Sequence, residues 1–277
     1  MVMQFRTTNA LGDIQGYINN AIREELDDFA SAYLHDVLIY SDSEEEHVGH
    51  VKWIMQQLLE AGIYLKPEKC EFHKETVRYL GSIILTKGIS MDGDKVETIQ
   101  NCSQEKKTKD GQFNCLFEGK QVLGFCNYNR RFIPKYSEKA EPLTRLTKNN
   151  EPFVWGSEQQ LAFENVIIVF ATAPALRHLH PEREVIIETD ASDYVSGGVL
   201  SQPDAEEDLH PAPYFSKMYT PAECTYDIYD RKLMAINKAL EEWRSKCEGA
   251  AYSLQLITDL KNLAYFMTKQ LLNRRQT

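Results

Sequence analysis

The sequence predicts an α/β (α+β) chain of more than one module, and three observations carry that reading. Strand-like apolar runs alternate with amphipathic stretches along most of the 277 residues. Apolar residues make up 43% and charged residues 26%, a globular balance that allows a sizeable core. Gly and Pro punctuate the runs as turn and cap residues rather than as a low-complexity tract.

The elements follow in order. A polar helix-like stretch over 19–26 precedes two short apolar runs within 29–40 that flank the polar pair His35 and Asp36, as in a hairpin. Residues 43–46 form a capping box, after which Ile54, Met55, Leu58 and Leu59 keep helical spacing until Gly62 stops the helix. Strand-like runs at 77–80 and 82–85 are set off by Gly81 and Gly88. Between 102 and 119 the pattern dissolves into a polar stretch that reads as a loop or linker. Residues 157–160 are a second capping box, opening a helix through Phe163, Val166 and Phe170 that Pro174 ends. Strand-like 185–189 reaches Asp190, Leu233, Ile236, Leu240 and Trp243 mark a helix, and a strand over 254–258 ends at Asp259.

Charge and cysteine content narrow the function classes. The formal net charge is -10, so the chain does not coat nucleic acid by overall charge, and any such contact is local. Residues 120–148 supply the local site: Lys120, Arg130, Arg131, Lys135, Lys139, Arg145 and Lys148 against Glu138 and Glu141, with Phe125, Tyr128, Phe132 and Tyr136 interleaved. Basic groups that neutralise phosphates beside rings that stack on bases build nucleic-acid grooves. A helix with a core face and a solvated basic face has the same composition, and both readings stand. Cysteines 70, 102, 115, 126, 224 and 247 contain no C-x-x-C pair and read as reduced thiols. Cys70 and His73 have a ligand-like spacing without a second pair to complete a zinc site. No apolar run approaches the roughly 20 residues of a membrane span, and residues 1–6 lack the features of a signal peptide. A cytosolic or nuclear protein is expected.

Three carboxylates sit at positions suited to chemistry: Asp36 at the hairpin tip, Asp190 and Asp259 at strand ends. Converging carboxylates hold Mg²⁺, and metal ions activate water and stabilise a leaving oxygen in phosphodiester chemistry. An aspartate after a strand also serves as a turn former or cap.

Five stretches in order, FRTTNA at 5–10, YLHDVLIYS at 33–41, LGFCNYNRRFI at 123–133, ETDASD at 188–193 and TDLKNL at 258–263, resemble the pol polyprotein of gypsy-type long-terminal-repeat retrotransposons. The resemblance covers nearly the whole chain. It implies a partial reverse transcriptase palm over 1–90, a helical connecting region over 91–180 whose 102–119 stretch diverges, and a ribonuclease H-like mixed-sheet domain over 181–277. A frameshift or mis-joined exon would leave such a divergent patch, and so would an insertion in a surface loop. The implied parent activities are RNA-directed DNA synthesis and hydrolysis of RNA in RNA–DNA hybrids with Mg²⁺ or Mn²⁺. RNA–DNA hybrid or other nucleic acid, and other pol or gag products, are the implied partners. Asp36, Asp190 and Asp259 fall on catalytic and metal-binding positions of the family, and Arg130, Arg131 and Lys135 on its basic connecting segment.

The departures are as informative. The family's hairpin has two aspartates, and here His35 replaces the first, a softer and uncharged ligand for Mg²⁺. Arg6 and Leu11 replace the usual Gly and Pro of a template-contacting segment, and another polymerase aspartate is expected upstream of residue 5. In the ribonuclease H pattern, Lys232 stands where a helix glutamate is expected, with Glu223, Asp227 or Asp230 as conceivable substitutes. A unit charge about 4 Å from a divalent ion at an effective dielectric of about 20 interacts by roughly 8 kcal/mol, so reversing its sign opposes metal binding strongly. A fourth acidic residue is expected beyond Thr277. Impaired catalysis, a nucleic-acid-holding module and a genomic fossil are the resulting expectations.

Overall fold

A computed structural model describes residues 10–98, 116–147, 154–180, 182–204, 206–248 and 250–259. The chain divides into two compact units, Met1–Leu80 and Gly81–Thr277.

The first unit opens with helix α1 (Ala10–Ala21), where Ile14, Ile18 and, just past the helix, Ile22 recur every four residues and turn one face inward. The helix therefore starts nine residues before the 19–26 stretch expected from polarity and ends within it, because the buried stripe and not the polar run fixes it. Strands β1 (Ala30–Tyr33) and β2 (Asp36–Ile39) form the expected antiparallel hairpin, with Tyr33 paired to Asp36 and Leu34 in the left-handed region at φ 51°. Helix α2 (Glu44–Glu60) starts as predicted: Ser43 is its N-cap, and its hydroxyl accepts from the Glu46 N–H at 3.3 Å. Gly62, at φ 71°, follows its end. Ile18, Ile22, Ala30, Ile54 and Leu58 bury together, packing α1 and α2 against the hairpin. A short 3₁₀ turn (Pro67–Lys69) and strand β3 (Thr76–Tyr79) complete this unit.

In the second unit β4 (Ser82–Leu85) pairs antiparallel with β5 (Gly88–Met91), a strand absent from the sequence expectation. Residues 93–98 are helical and are labelled α3. The polar 102–119 stretch lies outside the described residues up to 115, and from Leu116 it is the start of α4 (Leu116–Tyr128) rather than loop. A 3₁₀ turn (Arg130–Phe132) and two short helices, α5 (Tyr136–Lys139) and α6 (Glu141–Arg145), lead to α7 (Ser157–Ala171). Gly156, not Ser157, is the N-cap of α7, and the Gln159 side chain returns to accept from the Gly156 N–H at 3.0 Å. Half of a capping box thus operates, because glycine has no side-chain oxygen to complete it. Phe132, Ile133, Tyr136, Leu143, Phe163 and Phe170 form the core of this helical part.

The remaining strands build one four-stranded sheet in the order β8-β7-β6-β9. Strands β6 (Ile186–Ala191), β7 (Val195–Pro203) and β8 (Leu209–Met218) are antiparallel neighbours, and β9 (Gln255–Thr258) runs parallel to β6, which makes the sheet mixed as expected. Helix α8 (Ile228–Glu242) covers one face through Ala239 and the adjoining Trp243, which pack with Ile187, Leu200 and Phe215. Gly198 permits that contact: a Cβ there would stand 2.9 Å from the Glu188 carbonyl oxygen and 3.4 Å from the Trp243 ring. A four-residue helix α9 (Arg244–Cys247) follows.

Candidate functional site

The register of the mixed sheet assembles the site. Thr189 of β6 lies opposite Thr258 of β9 in a parallel ladder, so Asp190, still within β6 and paired with Gly197, and Asp259, just past the end of β9, take adjacent positions. The structure thus brings together two of the three predicted carboxylates. Asp36 is in the first unit, exposed as the first residue of β2.

Each carboxylate of the pair is met by a lysine. Lys232 points from α8 to Asp259 and donates to its Oδ2. Its side chain is only 16% exposed against 65% for Asp259, so the ammonium is carried on a stem packed along the protein. Lys135 donates from its Nζ to Asp190 Oδ2 at 2.8 Å. This second pair spans 55 positions in sequence, and no local pattern announces it.

The route of Lys135 to Asp190 is structural. Lys135 adopts φ 52° at the start of α5, and Ser137 N–H donates to Ser216 Oγ on β8 at 3.0 Å, which fastens the helical segment to the sheet. The Lys135 hydrogen bond holds the Asp190 carboxyl below the ordinary carboxylate range, with a further contribution from the nearby charge of Lys232. Reciprocally, the hydrogen bond to Asp190 raises the Lys135 ammonium above its ordinary value.

The candidate substitutes for the missing glutamate are engaged or directed elsewhere. Glu223 accepts from Lys238 Nζ at 2.7 Å and from the Thr220 N–H at 2.7 Å. Asp227 is the N-cap of α8. Asp230 is buried and, two residues before Lys232 on a helix, lies on a different face. Arg231, unremarked in the sequence, donates to Asp193 Oδ1 at 2.8 Å and ties α8 to the loop after β6. Its place beside Lys232 was the only available signal.

The basic candidates also have partners. Arg130 pairs with Glu242 at 3.3 Å, at the C-terminal end of α8. Arg131 donates to Ser82 Oγ at 3.1 Å and stands over the Phe132 ring, with its guanidinium lowered from the ordinary value chiefly by desolvation. Arg130 and Lys135 combine exposure with an anionic partner, as residues that can exchange a carboxylate for a phosphate do.

Reverse transcriptases and ribonuclease H-like domains generally use divalent metal ions. Among the described residues no group of three or more His, Cys, Asp or Glu side chains is arranged to hold one. The donor set fits a divalent ion poorly, because the Oδ2 atoms of both Asp190 and Asp259 accept from ammonium groups. Cys70 donates to the Lys66 carbonyl oxygen, and His73 faces Glu44 and the His47 ring, so the two share no ligand geometry. Among the described residues no helix is long and apolar enough to cross a membrane.

Comparison with known proteins agrees with this architecture. Residues 5–84 match the family described as reverse transcriptase (RNA-dependent DNA polymerase). Residues 155–254 match the RNase H-like domain found in reverse transcriptase. The Tf2-3 and Tf2-7 transposon polyproteins of Schizosaccharomyces pombe are 33% identical over 270 residues, 98% of this chain. The chain spans 20% of the length of these relatives. The foamy viral protease-reverse transcriptase in complex with double-stranded DNA has a similar fold, with a TM-score of 0.77 at 19% identity over 97% of this chain and 54% of that one. In complex with RNA/DNA hybrid it gives 0.75 at 20% identity over 99% and 36%. With the two family segments in this order and a third of the residues shared with transposon polyproteins along nearly its whole length, the chain belongs to the reverse transcriptase and ribonuclease H family of long-terminal-repeat retrotransposon pol polyproteins.

Proposed function

We propose that the chain is a module of this family that holds RNA–DNA hybrid, or another nucleic acid, without cleaving it. The observation that carries the reading is the Lys232 ammonium on Asp259, where hydrolysis by two metal ions calls for an anion. In this reading residues 1–90 are a partial palm, 91–180 a connecting region and 181–277 the ribonuclease H-like domain. Arg130 and Lys135 make the phosphate contacts, while Arg131 supports the surface from below. The solved relatives bound to double-stranded DNA and to RNA/DNA hybrid support nucleic acid as the ligand class. Asp36 belongs to the polymerase site of the family, and His35 beside it weakens Mg²⁺ or Mn²⁺ there by removing an anionic oxygen donor. The setting is the cytosol or the nucleus, and other pol or gag products are the protein partners.

The test is binding and cleavage of a labelled RNA–DNA hybrid by the purified chain, with Mg²⁺ and with Mn²⁺, over a salt series. Binding that weakens as salt rises, without cleavage, is expected. Cleavage that Asp190→Asn abolishes would refute the loss of hydrolysis, and a chain that neither binds nor cleaves would favour the fossil reading.

A further inference from the structure

Two carboxylates at adjacent positions of neighbouring strands concentrate negative charge, which attracts cations. In this chain both cations come from the protein itself, on different elements. Lys232 belongs to α8 and reaches Asp259, whereas Lys135 belongs to the start of α5 and reaches Asp190. The four groups sum to zero formal charge, so an incoming divalent ion meets no net anion and has to displace two ammonium groups to gain the oxygens. The side chain of Lys232 is largely buried. Lys135 is more exposed, but two residues further on the Ser137 N–H donates to Ser216 Oγ and fastens its segment to the sheet.

We propose that Lys135 and Lys232 are resident counter-ions of the Asp190–Asp259 pair, acting as two independent locks that keep divalent cations off it. The inference deepens the reading of an inactive ribonuclease site, and its own readout is metal binding rather than nucleic-acid binding or cleavage. Its specific consequence is that restoring an acid at 232 does not reopen the site, because Asp190 stays capped by a lysine from a different part of the fold.

The probe is Mn²⁺ alone, titrated into the full chain and followed by the electron paramagnetic resonance signal of the free ion. Wild type, Lys232→Glu, Lys135→Ala and the double variant are compared, with circular dichroism confirming that each is folded. Wild type is expected to bind no Mn²⁺ at the pair, each single variant to bind at least about tenfold more weakly than the double variant, and Asp190→Asn to abolish the binding the double variant gains. Wild-type binding that Asp190→Asn removes would overturn the inference. So would Lys232→Glu binding as tightly as the double variant, or a folded double variant that binds no Mn²⁺. If the double variant does not fold, Lys135→Ala/Lys232→Met decides, because it also removes both ammonium groups: binding above wild type that Asp190→Asn removes supports the locks, and a folded variant that binds no Mn²⁺ overturns them. Hybrid binding in a chelator is scored separately, so failure of the lock and failure of the nucleic-acid reading are distinguishable.

Discussion

Replacing Lys232 by Glu, with Lys232→Met as the neutral control, tests the charge arrangement through stability rather than chemistry. The wild-type side chain is 16% exposed and its partner Asp259 65% exposed. Two unit charges about 4 Å apart at an effective dielectric of about 20 interact by about 4 kcal/mol, which is an upper bound for a pair reaching solvent. Exposed pairs contribute about 0.2–1 kcal/mol, and the burial of Lys232 puts this one near the top of that range, about 1 kcal/mol. Met keeps the apolar stem and loses that attraction. Glu loses it and adds a repulsion of similar size from Asp259, with a smaller one from Asp190, which already feels the charge of Lys232. The expected loss is therefore about 1 kcal/mol for Met and about 2 kcal/mol for Glu at low ionic strength. Urea unfolding in a chelator measures both. At about 1 M salt, where the screening length is about 3 Å, the gap between the two variants should fall below about 0.5 kcal/mol. A Glu variant as stable as the Met variant at low salt would refute the placement of Lys232 against the carboxylate pair.

Four further outcomes are expected. Gly88→Ala should cost about 2–4 kcal/mol in urea unfolding, by overpacking and by weakening two hydrogen bonds. Its Cβ would stand 2.1 Å from the Leu176 carbonyl oxygen, beside the reciprocal Ile89–Leu176 hydrogen bonds of 2.7 and 2.8 Å. The same exchange at Gly124 in α4, where nothing lies within 4 Å, should instead stabilise by about 0.5–1 kcal/mol. Asp190 is held below its ordinary 3.8 mainly by the Lys135 hydrogen bond, so its contribution to stability is complete above that value and lost as pH falls through the lower folded value. The stability difference between wild type and Asp190→Asn should accordingly be flat near neutrality and close in acid, as acid-limb unfolding curves would record. Cys126 is buried and its thiol is pushed up to about 12 by desolvation, so it should resist iodoacetamide at neutral pH until the chain is unfolded, as mass spectrometry of labelled peptides would score.

What could be read from the sequence was what depends on neighbours along the chain. The Ser43 cap, the Gly62 stop, the hairpin within 29–40 and the end of β9 before Asp259 each have a short-range cause in side-chain oxygens, φ preference or alternation, whereas the hairpin turn falls on Leu34 and His35 with Asp36 already in β2, and pairing with β7 carries β6 one residue past Asp190. Strand β8 carries no local signal: its run from Leu209 to Met218 contains two prolines and a lysine, and only pairing with β7 makes a strand of it. Helix α1 starts earlier than polarity over 19–26 predicts, because burial selects the isoleucine stripe. At the site, Lys232 was legible as an anomaly against the family pattern, but its contact with Asp259 depends on how α8 crosses the sheet. Local charge density marks Lys135 as a phosphate-binding cation, a signal that is blind to a carboxylate 55 positions away.

That last difference changes what the basic segment means. A positive balance over 120–148 describes a groove only if its cations face solvent without anions of their own, and Arg130, Lys135 and Arg145 each have a carboxylate in contact. Nucleic acid therefore competes with Glu242, Asp190 and Glu141 for these side chains, and part of the phosphate attraction is offset by breaking pairs already made. The salt dependence of hybrid binding separates the cases. Free cations each release a counter-ion when they meet a phosphate, whereas a cation leaving a carboxylate re-exposes an anion that salt then screens. The slope of affinity against salt should thus be shallower than the number of basic residues in the segment implies, and Asp190→Asn, which frees Lys135, should steepen it. A wild-type slope matching the full basic count would mean that the pairs open at no cost, and that Lys135 serves phosphate before it serves Asp190.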